Sequence, residues 1–359
     1  MHFDGYMALA GLIVGFTVGL TGMGGGALMT PILVLLFKIQ PLAAVSSDLV
    51  AAVVMKPVGG GVHLRHGTVN RQLVKWLMIG SAPSAFLGVL VLRLIGGGSD
   101  SIQNRLKYAL GITLIAAAGT MAIKAYMQFR RIRREAADVR RTGRLAPPPP
   151  FELRKGITVA IGAVGGLVVG MTSVGSGSLI IVALMILYPA LSTRELVGTD
   201  LVQAIPLVTA AALGHILFGD FVFSITGSIL VGSIPGVYLG ARVSSRARDT
   251  LIRPALVFVL LASGLKLVNL STTMLGVALG GFVLLAIPIW GVIDAAARPA
   301  HHWEAIGTSK RMWVGVQALG APFGVGFGAA LTYFLKTKRR LKRAGVYSDV
   351  AVMGDEVGP

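Results

Sequence analysis

One stretch limits what this chain can become more than any other: Gly15 to Pro31, which reads GFTVGLTGMGGGALMTP. It lies inside an apolar segment of about Met7 to Phe37 that would otherwise read as an ordinary membrane helix. Gly22, Gly24, Gly25 and Gly26 interrupt it, and each glycine costs a helix roughly 1 kcal/mol against alanine. In lipid, opened backbone must find partners in protein or in a water-filled cavity, so a break at this depth marks a candidate site. The half-helix that follows, from Ala27 to Phe37, would aim its first N–H groups, with their positive dipole character, at that site.

The same pattern returns at Gly170 to Leu187, GMTSVGSGSLIIVALMIL. Gly19, Thr21, Gly24, Gly26 and Leu28 meet Gly170, Thr172, Gly175, Gly177 and Leu179; Asp48 meets Asp200, His63 meets His215, and Gly80-Ser81-x-Pro83 meets Gly232-Ser233-x-Pro235. Every partner lies 151 or 152 residues downstream, which is an internal duplication. Two glycine-interrupted apolar segments at corresponding positions point to a transporter's binding site.

Composition agrees. The 359 residues are 54% apolar with a mean hydropathy of +0.76, and 13% are charged, about half the globular norm. The absence of cysteine rules out disulfides and thiolate metal or redox chemistry. The first segment lacks a basic leader and a small-residue cleavage pattern and is expected to be a retained span. The expected fold is all-α: a polytopic membrane bundle with a glycine-interrupted first span in each repeat, about eight core spans and about two more. The expected division is a first repeat over 1–127, a basic Pro-rich linker over 128–155, a second repeat over 156–270, additional spans over 271–335 and a basic tail over 336–359.

Linker and tail hold 15 of the 33 Lys and Arg, which places both at the cytoplasmic face of the cell membrane, against anionic lipid; no nucleic-acid partner is expected. Simple spans keep linker and tail on one side. Re-entrant glycine segments would instead give each repeat an odd number of crossings and invert the two. The greater charge of the tail favours the simple arrangement, and homo-oligomerisation stays open.

At these motifs the chain resembles the TauE/SafE family of membrane transporters, with Gly19-x-x-Gly22-x-Gly24-Gly25-Gly26-x-x-x-x-Pro31 as the first copy. The resemblance covers about 8–95 and 160–245. It implies a secondary transporter that exports, or imports, sulfite or organosulfonate anions. The second copy departs from the pattern, since Ser173, Ser176 and Val182 stand where the first has Gly22, Gly25 and Pro31. The two halves of a site would then be chemically unequal.

The expected anion site comprises Thr21, Gly22, Gly24, Gly25 and Gly26 with Thr172, Ser173, Gly175, Ser176 and Gly177. Hydroxyls there, including Ser178, and backbone N–H groups can donate to anionic oxygens. The competing reading is close helix packing by small residues. No GK[ST] follows Gly26, so phosphate-loop readings fail. Asp48, Asp200, His63, His215 and Lys56 are the candidates for proton or ion coupling, because ionisable groups in spans cost about 2.5–3.5 kcal/mol and mark pathways. Helix capping is the plainer reading of the two aspartates. Lys56 faces Val208 in the repeat; it could attract an anion or snorkel. His301-His302-Trp303-Glu304 is too short for a metal site. No catalytic residues, cofactor or metal are expected. The alternatives are a membrane enzyme acting on a lipid or polar head group, and a non-transporting membrane subunit.

Overall fold

The computed structural model describes residues 4–21, 25–96, 99–142, 151–218, 221–244 and 249–269, with scattered parts of 271–337. Gly22, Met23 and Gly24, the Pro147–Pro150 run, and His301, His302 and Glu304 therefore lie outside the described residues. The described residues are helical, without strand, and fall into two compact units, Met1–Leu270 and Ser271–Pro359.

The first unit contains α1 (Gly5–Thr21), α2 (Gly26–Leu35), α3 (Pro41–Arg65), α4 (Arg71–Gly96) and α5 (Ser99–Thr142). A second set follows: α6 (Lys155–Thr172), α7 (Leu179–Leu187), α8 (Thr193–Leu217), α9 (Phe223–Ser244) and α10 (Asp249–Leu267). Among the described residues, six helices are long and apolar enough to cross a membrane. With 44 residues, α5 spans about 66 Å at 1.5 Å per residue, so it carries the first half of the basic stretch as helix.

Glycine decides how the helices pair. A Cβ on Gly11, Gly15, Gly232, Gly236 or Gly240 would run into backbone of the facing helix, so α1 and α9 touch main chain to main chain. The same holds for Gly80 and Gly88 on α4 against Gly162, Gly166 and Gly170 on α6. Such spacing lets helices approach closely in lipid, where hydrophobicity gives no drive to associate. The two interfaces repeat each other at the sequence offset. Gly11 faces the Ile229 carbonyl as Gly162 faces that of Leu77, and Gly15 faces Ser233 as Gly166 faces Ser81.

The order of these contacts gives direction. On α1, residues 8, 12 and 16 meet 232, 236 and 240 of α9, both ascending, so the pair is parallel. Leu77, Ser81 and Ala85 of α4 meet Gly162, Gly166 and Gly170 of α6 in the same sense. Corresponding helices, in contrast, are antiparallel. Ser46 of α3 meets His215 of α8 at one end and His63 meets Gly198 at the other. Tyr108 of α5 meets Asn269, just past α10, while Ile115 meets Gly264. Counterparts that run oppositely are the mark of inverted repeats.

The interrupted segments follow from the same geometry. α4 runs parallel to α6 and also to α8, as Ser81–Gln203 and Arg93–Phe218 show. α6 and α8 thus point the same way, and the nine-residue α7 between them must return. In the first repeat α2 folds back on α3, with Thr30 bonded to Asp48 across the turn at 36–40. The helix directions therefore favour the re-entrant, inverted arrangement over the simple one preferred on tail charge.

In the second unit, α11 (Lys310–Gly320) and α12 (Val325–Thr332), the latter followed by a wide turn at Tyr333–Thr337, are the continuous described helices. Its core is aromatic: the Trp303 and Tyr333 rings stack at 5.8 Å, and Trp313 leans on Tyr333 at 5.9 Å.

Candidate functional site between the two breaks

The two glycine-rich breaks meet. Gly26 lies so close to the Ser173 carbonyl and hydroxyl that no side chain fits between them. Gly25 caps α2 beside Met55 and Val18. Ser173 ends α6 at a φ of 59°, a left-handed conformation that L side chains rarely adopt. Its counterpart is Gly22, which would adopt it freely. Gly175, at a φ of 122°, must be glycine whatever space surrounds it. The break thus requires glycine at Gly175, while Ser173 holds a strained position with a side chain that has work to do.

That work is visible at Asp48. One carboxylate oxygen of Asp48 accepts from Thr30 at 2.8 Å and from Ser173 at 2.7 Å. This joins α2, α3 and the second break. Asp48 is the eighth residue of α3 and Asp200 the eighth of α8, so neither caps a helix. The cap of α8 is Ser192, in a reciprocal box with Glu195. Asp200 is held differently, accepting from Gln203 at 3.1 Å, whose amide oxygen in turn accepts from Ser81 at 3.1 Å. Both carboxyls are buried. The asymmetry has a simple origin: Thr30 corresponds to Ile181 and Ser173 to Gly22, so the positions equivalent for Asp200 lack the hydroxyls that serve Asp48.

Lys56 is also buried, and its ammonium donates to Ser176 Oγ at 2.7 Å. The α3–α8 contacts run from Ser46–His215 to His63–Gly198 and are centred near Met55, which puts Lys56 at the middle of the helix crossing. It interacts electrostatically with both Asp48 and Asp200. Among the described residues, no carboxylate lies within ion-pair distance of it. Beside Ser176 a small cleft opens, lined by Ser173, the run Gly175 to Ser178, Ala27, Met121 and Leu260. Ser178 Oγ is buried there without a partner. The N–H groups of Ser178, Leu179 and Ile180 all turn to the Gly175 carbonyl, whereas those of Gly175, Ser176 and Gly177 make no hydrogen bond among the described residues. A buried cation beside unspent donors is chemistry for an anion.

The remaining sequence candidates separate. Thr172 spends its hydroxyl on the Val168 carbonyl at 2.6 Å. Thr21 ends α1, before the residues outside the description. His215 is fully buried: Nε2 donates to the Gly170 carbonyl at 3.0 Å and Nδ1 meets Ser46 Oγ at 2.9 Å. It clips the end of α6 to α3. His63 is half-buried at the end of α3, where its Nδ1 meets Thr68 Oγ1 at 2.9 Å. Thr30 and Gln203 are not among the sequence candidates, and Ser81 enters only through the repeated Gly80-Ser81-x-Pro83 motif. Gln203 carried a signal all the same, being an amide three residues from an acid in an apolar span. Among the described residues no group of His, Asp and Glu could hold a metal.

Replacing Ser173 separates its two roles. Ser173→Ala removes a donor to a buried carboxylate and should destabilise the protein by about 1–3 kcal/mol. Ser173→Gly removes the same donor but relieves the left-handed strain, so it should be the more stable variant by about 1 kcal/mol. Thermal unfolding in detergent measures both; an alanine variant as stable as the parent would leave the Asp48 bond without energetic weight.

Comparisons with known proteins agree with this architecture. Residues 7–267 match the family described as sulfite exporter TauE/SafE. The probable membrane transporter protein YjnA of Bacillus subtilis is 38% identical over 260 residues, 72% of this chain and 98% of the relative. YdhB, another probable membrane transporter protein of that organism, is 26% identical over 73% of this chain and 97% of the relative. No solved structure matches. The match ends where the first unit ends, and the second unit lies beyond it. On a match that spans both breaks, the chain belongs to the TauE/SafE family of membrane transporters.

Proposed function

We propose that this protein is a secondary exporter of small sulfur oxyanions, sulfite or organosulfonates, and that the anion binds at the second break. The observation that carries this reading is Lys56, a buried ammonium on Ser176 beside the unspent donors of Gly175 to Ser178. An anion leaving water needs charge-assisted donors in place of its hydration, and Lys56, Ser176, Ser178 and three backbone N–H groups supply them. The first break cannot do the same, because Val208 and Gly25 replace Lys56 and Ser176. It forms the apposed half, with Gly26 against Ser173. Asp48 and Asp200, buried and electrostatically coupled to Lys56, are the groups through which a proton or cation would be exchanged. The basic end of α5 lies against anionic lipid at the cytoplasmic face.

Purified protein in liposomes tests the proposal. Vesicles preloaded with sulfite, ethanesulfonate, phosphate or chloride should release the two sulfur anions well above the empty-vesicle rate and the others little. Equal release of all four, or of none, would sink the assignment.

A further inference from the structure

We infer that His215 binds a proton together with the anion, taking it at Nδ1 with no movement of the ring. The inference goes beyond Asp48 and Asp200 and rests, for the coupling, on the reading of the second break as the anion site. Three contacts meet here. Nε2 lies 3.0 Å from the Gly170 carbonyl, Nδ1 lies 2.9 Å from Ser46 Oγ, and Ser46 Oγ donates to the Leu42 carbonyl at 2.7 Å. A carbonyl only accepts, so Nε2 carries a hydrogen and the serine gives its own to Leu42. The contact between Nδ1 and Ser46 is then left without a hydrogen unless Nδ1 supplies it. A neutral imidazole and a serine bring two hydrogens to these contacts; an imidazolium and a serine bring three. When the proton leaves, Ser46 turns its hydroxyl to Nδ1 and releases Leu42, whose carbonyl keeps its helical partner, the Ser46 N–H. Both side chains are fully buried, so water does not make up the missing bond.

The place of the ring joins proton to anion. Gly170 stands three residues before Ser173, which ends α6 at the second break. Ser46 stands on α3, which carries Asp48 and Lys56. The anion site needs these two elements together, because Lys56 reaches across to Ser176. A charged ring donates more strongly than a neutral one, so the proton favours the arrangement that binds the anion, and the anion favours the proton by the same factor. A buried imidazolium also needs negative charge in reach; Asp48 is two residues from Ser46, and the anion brings another charge. The other ionisable groups on elements packed against the ring's helix are Lys56, His63 and Arg65 of α3, Arg71, Lys75 and Arg93 of α4, and Lys155 of α6, while α7 has none. On α8 itself stand Arg194, Glu195 and Asp200. None of these is in the last turn of α6, the end that His215 clips to α3.

The test uses the full chain in detergent and ethanesulfonate, an anion that keeps one charge from about pH 5.5 to about pH 8.5, the range in which histidine can change its own. Calorimetric titration in buffers of different ionisation enthalpy gives both the Kd and the protons taken up with the anion. The parent should take up protons on binding, and its Kd should fall about tenfold from the alkaline to the acid end, the difference between a charged and a neutral hydrogen bond. His215→Gln keeps one donor and one acceptor but cannot take the proton; it should take up none, and its Kd should change less than about twofold over the range. Ser46→Ala removes the acceptor for the Nδ1 hydrogen and should cut the effect to about threefold, which gives the answer should the glutamine variant not fold. Folded variants with the parental proton uptake and pH dependence overturn the inference and leave proton exchange to Asp48 and Asp200. A parent that binds the anion without taking up a proton overturns it too, with the anion site standing. A parent that binds no ethanesulfonate at any pH overturns both.

Discussion

Lys56→Met should abolish useful transport while leaving the fold intact. A hydrogen bond from a charged group contributes about 1.5–3 kcal/mol, so loss of the ammonium should raise KM for the anion by roughly 10- to 150-fold. Stability should not fall, because methionine fills similar volume and the desolvation cost of a buried cation disappears with it. Lys56→Arg should rescue poorly, since a planar fork does not replace a compact ammonium behind Ser176. Flux against anion concentration, together with thermal unfolding, separates the outcomes. A methionine variant with parental KM would move the anion away from the second break. One that fails to fold would make Lys56 a structural group.

Gly232→Ala should be among the most damaging single methyl groups that can be added to this protein. The new Cβ would collide with the Ala8 carbonyl, an atom of the α1 backbone that has no rotamer to escape by. Parting two helices packed main chain to main chain should cost about 3 kcal/mol, at the upper end of overpacking effects, or more. Gly227→Ala supplies the control within α9, because nothing lies within 4 Å of its Cβ position. There the loss of a flexible residue from a helix should leave stability unchanged or raise it by about 0.5–1 kcal/mol. Gly80, which faces the Val159 carbonyl as Gly232 faces that of Ala8, should respond as Gly232 does. Melting temperatures in one detergent decide the matter: similar values for the Gly232 and Gly227 variants would mean that α1 and α9 are not in such intimate contact.

Much of the fold could be read from the chain because the relevant signals are local. Apolar runs interrupted by glycine, and the recurrence of Asp48 at Asp200 and of His63 at His215, are properties of residue order alone. So was the inequality of the two breaks, visible in Ser173 and Ser176 where the first copy has Gly22 and Gly25. What each polar residue does was not legible. Asp48 and Asp200 occupy matching places, yet one is bonded to Thr30 and Ser173 and the other to Gln203. Those partners lie 18, 125 and 3 residues away, and only the last is close enough in sequence to suggest itself. His215 proved to be a buried clip between α6 and α3 for the same reason: Gly170 and Ser46 are distant in the chain and adjacent in space.

The sequence by itself determined that the chain is a duplicated helical membrane bundle with a break in the first segment of each copy. Hydrophobic length and backbone propensity act over a few turns of helix and need no partner. Only the tertiary structure decided that the copies are inverted, because the direction of one helix relative to another appears solely in which residues meet, as Ser46 meets His215 and His63 meets Gly198. It also decided that the breaks touch at Gly26 and Ser173, and that Lys56, without a counterpart in the repeat, comes to rest on Ser176. A buried charge is placed by whatever satisfies it across the bundle, and here its partner lies 120 residues further along the chain.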